Sequence, residues 1–155
     1  MNERPADRLA IAVVQLNPIV GDVSGNLECA RKARSQAARD GADVIAFSEL
    51  FMAGYPPEDL VLKPAFQSAC RSAVEALARE TDDGGPAVLI GTPWLEDGKL
   101  YNAYALLAYG RVEAIRYKVN LPNYGVFDEK RVFASGPLPG PIGRASCRER
   151  VCYVV

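Results

Sequence analysis

Apolar residues along this chain fall into dense strand-length runs and spaced helical runs. Leu9 to Leu16, LAIAVVQL, is rich in β-branched and aliphatic residues without clean alternation, which predicts a strand covered on both faces in the middle of a sheet. Asn17-Pro18 and Gly21-Asp22 break it. Asn26 or Ser24 can then cap a helix whose apolar positions Leu27, Ala30, Ala33 and Ala37 follow helical spacing, with Arg31, Arg34 and Arg39 on or near its wet side. Gly41 stands where a helix-ending glycine should. Asp43 to Phe47, DVIAF, predicts a second short buried strand, so Glu49 arrives just past a strand end, where open sheets place functional groups.

Gly54 and Pro56-Pro57 predict a rigid loop, after which Pro64 opens a helix with Phe66, Ala69, Cys70, Ala73 and Leu77 on one face. Thr81 to Pro86 is expected as a loop and Ala87 to Gly91 as a third buried strand. Leu100 to Tyr109 and Val112 to Val119 flank Gly110-Arg111, a two-residue connection with glycine first that predicts a tight hairpin. Trp94, Tyr101, Tyr104 and Tyr109 are expected to pack on that sheet. The order strand, helix, strand, helix, strand, hairpin argues for an α/β layered domain with a mixed sheet and no internal repeat.

Composition narrows the function classes. The 155 residues suit one domain, and a net charge of −1 from 18 basic and 19 acidic side chains draws the chain to neither nucleic acid nor an anionic membrane. The apolar runs are too short and interrupted to span a bilayer, and Met1 to Arg8 is polar, so the expected location is cytoplasmic. The absence of histidine removes the commonest general base and the commonest metal ligand, leaving acid-base work to Glu, Asp, Lys, Tyr or Cys. Cys29, Cys70, Cys147 and Cys152 show neither a zinc spacing nor a disulfide framework, so reduced thiols and no metal are expected. Cys29 and Cys70 read as small packing residues of the two helices.

The chemistry concentrates in Arg116 to Phe133, RYKVNLPNYGVFDEKRVF. Lys118 ends an alternating run, and Leu121-Pro122-Asn123-Tyr124-Gly125 turns the chain out into a loop. A lysine at a strand end can hold a fixed positive charge near a reacting centre, although a lone lysine is more often simply solvated. Upstream, Phe47-Ser48-Glu49-Leu50-Phe51 is followed by Gly54-Tyr55-Pro56-Pro57-Glu58-Asp59-Leu60.

A Glu closing an apolar strand, then a Lys entering Leu-Pro-Asn-Tyr-Gly-Val-Phe-Asp-Glu, resembles the carbon-nitrogen hydrolase (nitrilase) superfamily. Within it, the Tyr-Pro-Pro-Glu-Asp-Leu run and Asn120 look most like the glutaminase domains of glutamine-dependent NAD synthetases. The resemblance covers roughly Leu9 to Gly140 and implies an α-β-β-α sandwich, of which this chain would be the N-terminal half.

In that family amide hydrolysis uses Cys, Glu and Lys. Carried over, Glu49 is the general base, Lys118 stabilises the tetrahedral intermediate, Glu129 supports the lysine and Tyr124 contacts glutamine. For Glu129 the competing reading is a solvated charge beside Asp128, Lys130 and Arg131. The implied activity is glutamine hydrolysis supplying ammonia for ATP-dependent NAD synthesis from deamido-NAD. Its alternatives are a free-standing amidase of the superfamily and an inactive fragment or interaction module. No cofactor is implied in this domain; ATP and deamido-NAD would be substrates of a synthetase domain, and the full-length protein would be a homo-oligomer.

After Pro137-Leu138-Pro139-Gly140-Pro141 the run IGRASCRERVC has no apolar period and carries Arg144, Arg148 and Arg150. Residues 1–141 are therefore expected to be the N-terminal part of the hydrolase domain and 142–155 a non-native tail. The family's nucleophilic cysteine is expected to be missing, since Cys147 and Cys152 lie among arginines rather than before acidic residues.

Overall fold

A computed structural model of the chain describes residues 8–125 and 128–137, so Cys147, Cys152 and the tail lie outside the described residues. Strands β1 (Ile11–Val13), β2 (Val44–Ala46), β3 (Ala87–Glu96), β4 (Lys99–Ala108) and β5 (Arg111–Tyr117) form one sheet in that spatial order. The first three are parallel and the last three antiparallel, a mixed α/β sheet as expected. Helix α1 (Val23–Arg39) links β1 to β2, and α2 (Pro64–Arg79) links β2 to β3. Such intervening helices are what parallel neighbours require.

Helix α1 is capped two residues before the cap expected at Ser24 and four before that at Asn26. Asp22 is the cap, its Oδ1 accepting the Gly25 N–H at 2.9 Å, while Asn26 is buried and bonds the Ile19 backbone and the Met52 carbonyl. Arg34 is a second correction: it is 7% exposed, and its guanidinium donates to the Pro86 carbonyl and to both Asp83 oxygens. A guanidinium can be enclosed when its donors are all used, so charge alone did not assign its face. Cys29 is a third, exposed rather than packed, because it lies off the face that buries Asn26, Ala30, Arg34 and Ala37. Gly41 adopts φ 77° just past the helix, as a C-terminal glycine should, and Pro64 opens α2 as expected.

Two hairpins close the antiparallel half. Asp97-Gly98 joins β3 to β4, and Tyr109-Gly110 joins β4 to β5, with positive φ at all four residues. That pattern matches the twist of the flanking strands. The second turn sits one residue before Gly110-Arg111, and Tyr109 is 79% exposed at its tip rather than packed on the sheet. Trp94 and Tyr101 are buried as predicted, with Tyr101 stacked on Tyr117.

One face of the sheet, Ile45, Val88, Ile90, Ala105 and Leu107, packs on Ala30 and Ala37 of α1 and on Cys70, Val74 and Leu77 of α2. The other face carries the row Val13, Ala46, Leu89 and Leu106, placed side by side by the strand register. On this side β1 is exposed, at 55% for Ile11 and 76% for Val13. Among the described residues it is thus an edge strand open on one face, not a central one. The dense apolar run signalled two faces meant for burial, and the described residues cover only one of them.

Candidate active site

Glu49 reaches its place because the chain leaving β2 is laid across β3. Phe47 N–H donates to the Leu89 carbonyl at 2.8 Å and Met52 N–H to the Gly91 carbonyl at 3.1 Å. Gly91 makes the crossing possible: a Cβ there would stand 2.3 Å from Leu50 N and 2.5 Å from Ser48 O. Leu50, buried to 1% exposure, takes φ 49°, a left-handed conformation that costs an L-residue about 1–3 kcal/mol. Burial of Phe47 before that bend and of Phe51 and Met52 after it holds it, and it turns Glu49 away from the core.

Lys118 follows directly on β5. Its N–H donates to the Asn102 carbonyl at 2.8 Å, and its carbonyl accepts from Gly136 N–H at 2.9 Å, so the backbone is fixed on both sides. Glu129 opens the short helix α3 (Glu129–Val132). Beneath α3, Phe133 and Leu121 pack with Leu50, Val61 and Leu100 in a second apolar cluster, and Ala134 N–H donates to the Leu100 carbonyl at 2.8 Å. Arg131 ties the same helix to the 3-10 turn Glu58–Leu62 through an ion pair with Asp59.

These elements converge on one ammonium. Lys118 Nζ lies 2.8 Å from Glu49 Oε1 and 2.9 Å from Glu129 Oε1. The Glu129 side chain is 12% exposed, so the solvated-charge reading of it fails, whereas the Glu49 side chain is 43% exposed. Burial by itself draws the Lys118 pKa down, but hydrogen bonds and charges from Glu49 and Glu129 outweigh it and raise the net value. The lysine is therefore a cation at neutral pH. Burial raises the Glu129 pKa against the opposing pull of Lys118, and Glu129 Oε2 is enclosed with no hydrogen-bond partner among the described residues. The arrangement supplies an accessible carboxylate to take a proton, a fixed cation to meet a developing negative charge, and an enclosed carboxylate that anchors the cation.

Two further residues come to the site that the sequence reading had given no role. Tyr55 carries a phenol whose pKa is raised by burial and then by the nearby charges of Glu49 and Glu129. It lines a cleft of about 80 Å³ together with Pro56, Glu58, Glu129, Arg131 and Phe133. Asn102, 4% exposed on β4, donates from Nδ2 to Glu49 Oε1 at 2.5 Å. A buried amide inside the apolar strand LYNAYALLA was the signal available for it, since such a group needs a partner. Tyr124 stands on the loop between Lys118 and α3 with 71% exposure. Cys70 belongs to the helix core, its thiol pushed up to about 12 by burial, and no cluster of metal-ligating side chains occurs among the described residues.

Glu49, Lys118 and Glu129 thus stand together at the rim of this sheet. The chain belongs to the carbon-nitrogen hydrolase family, whose profile matches residues 10–151. The glutamine-dependent NAD(+) synthetase of Rhodobacter capsulatus is 44% identical over 136 residues, covering 88% of this chain and 24% of that protein. The glutamine-dependent NAD(+) synthetase of Thermotoga maritima is 42% identical over 130 residues, covering 83% and 22%. Among solved structures, a glutamine-dependent NAD+ synthetase from Acinetobacter baumannii superimposes with a TM-score of 0.78 at 36% identity, over 83% of this chain and 24% of that one. A Nesterenkonia sp. AN1 amidase, covalently modified at its active-site cysteine by the acetamide moiety of fluoroacetamide, gives 0.70 at 28% identity, over 86% and 50%. The chain thus spans about a quarter of the length of the curated relatives it matches.

Proposed function

We propose that this chain supplies the base-and-lysine half of a glutaminase whose ammonia feeds ATP-dependent synthesis of NAD from deamido-NAD. The observation that carries the reading is Lys118 Nζ held between Glu49 and Glu129, in a chain 42–44% identical to two glutamine-dependent NAD(+) synthetases. In this reading Glu49 takes the proton of a thiol nucleophile and later that of the attacking water. Lys118 stabilises the oxyanion, Glu129 keeps the lysine charged and in place, and Tyr124 contacts the glutamine. ATP and deamido-NAD are substrates of a synthetase domain outside these residues, and the complete protein is a cytoplasmic homo-oligomer with ligase activity.

In this reading neither Cys29 nor Cys70 supplies the thiol, and 142–155 is a non-native tail even though the family profile runs on to residue 151. The 155-residue chain alone accordingly releases no ammonia from glutamine, since loss of a nucleophile that acts as part of a unit can cost about six orders of magnitude. Its open sheet face and the β1 edge favour association. The test is ammonia release from glutamine by the whole gene product beside the 155-residue chain, with light scattering on the latter. A soluble monomeric chain that turns over glutamine, and stops on Cys147→Ala or Cys152→Ala, would overturn the reading of nucleophile and tail. Likeness to the Nesterenkonia amidase favours a free-standing amidase as second reading. It would win if the whole product hydrolysed simple amides and made no NAD.

A further inference from the structure

We propose that Asn102 is a positioning residue that selects which oxygen of Glu49 takes the proton. The inference rests on the glutaminase reading of this site. Asn102 Nδ2 and Lys118 Nζ both donate to Glu49 Oε1, at 2.5 and 2.8 Å, and neither donates to Oε2. One oxygen is committed by two donors, so the other carries the basic lone pair toward the half-exposed side of the carboxylate. The same residue holds the cation from behind, because the Asn102 carbonyl accepts the Lys118 backbone N–H at 2.8 Å.

The location is rigid. Asn102 is 4% exposed, sits in the middle of β4 opposite Pro93, and is flanked by the buried Tyr101 and Ala103. A lysine alone, with three rotatable donors on a flexible stem, fixes charge but not the plane of a carboxylate. An amide on a central strand fixes the plane as well. An enclosed amide in an apolar strand is costly unless bonded, and Glu49 accepts its N–H.

The test uses the whole gene product, with ammonia release from glutamine measured against pH. Asn102→Ala should lower kcat by about 10- to 100-fold, the range set by a one-ångström misplacement, with KM changed less than about threefold. Asn102→Asp keeps the shape but sets a second carboxylate against Glu49 Oε1. Two such groups cannot both ionise freely, so the acid limb of the pH–rate profile should move to higher pH by at least about one unit. Adding Asn102→Ala to Glu49→Gln should cost nothing further, whereas a purely structural role would subtract again. Circular dichroism and thermal melting establish that the variants fold, and if Asn102→Ala does not fold, the isosteric Asn102→Asp carries the decision. An active wild type whose folded variants keep kcat and the acid limb overturns this inference alone. A wild type that releases no ammonia overturns the glutaminase reading and this inference with it.

Discussion

Two ion clusters in this molecule are built from the same kinds of side chain and behave oppositely. At the end of α1 and α2, Arg34 uses its guanidinium on the Pro86 and Glu80 carbonyls and on both oxygens of Asp83. Every partner there is matched, and the Arg34 guanidinium with the Gly85 N–H holds the Asp83 carboxyl well below the usual carboxylate range. At the sheet rim, Lys118 is shared by two carboxylates, one half-exposed and one enclosed with an oxygen that has no hydrogen bond among the described residues. The first cluster resembles a finished joint. The second keeps an accessible carboxylate and an acceptor unmet among the described residues, which folding alone gives no reason to retain, and this imbalance marks the candidate site more clearly than charge or burial.

Breaking the second cluster should give the largest effect. In the whole gene product, Glu49→Gln should lower glutamine hydrolysis by at least about 10²–10⁴-fold, and Lys118→Ala should be comparably severe. Synthesis from free ammonia should persist in both variants; loss of both activities together would mean that these residues hold the fold.

Gly91→Ala probes how the site is carried. The added Cβ meets the backbone at Ser48 and Leu50, which cannot swing away as a side chain could. The change should destabilise the fold by about 1–3 kcal/mol, seen in denaturant melts, and lower activity by displacing Glu49. Unchanged stability would mean that the crossing over β3 is looser than the geometry requires.

Breaking the first cluster should cost stability and leave chemistry alone. Arg34→Ala removes the donor to the buried Pro86 carbonyl and should destabilise by about 1–3 kcal/mol, with kcat unchanged. A drop in kcat at full folding would erase the distinction between the clusters.

The smallest effect is a pH dependence. The folded-state Asp83 pKa is depressed, so its contribution is complete above the unfolded value near pH 4 and is lost as pH falls from there toward the lower folded value. Thermal melts between pH 5 and 2 should therefore fall more steeply for wild type than for Arg34→Ala. Parallel slopes would show that solvent screens this exposed carboxylate completely.

Local signals in the sequence carried much of the architecture. Pro64 at the start of α2, Gly41 after α1, the short apolar run ending before Glu49 and the alternation ending at Lys118 are each decided within a few residues. Backbone restriction and side-chain periodicity act at that range. The motif resemblance then named Glu49, Lys118 and Glu129, which the fold brings onto one nitrogen.

What only tertiary structure decided is who meets whom. Arg34 and Asn26 are buried because partners distant in the chain complete their hydrogen bonds, at Pro86 and Met52. Cys29 is exposed because helix phase outranks its apolar character, and among the described residues β1 has one bare face because burial depends on what lies above a strand, not on its composition. Asn102 and Glu49 stand 53 residues apart, and their bond exists only because the chain leaving β2 crosses β3 at a glycine. A sequence specifies local conformation through nearest-neighbour sterics; the pairing of distant polar groups is set by the whole sheet at once, and that pairing assembles the candidate site.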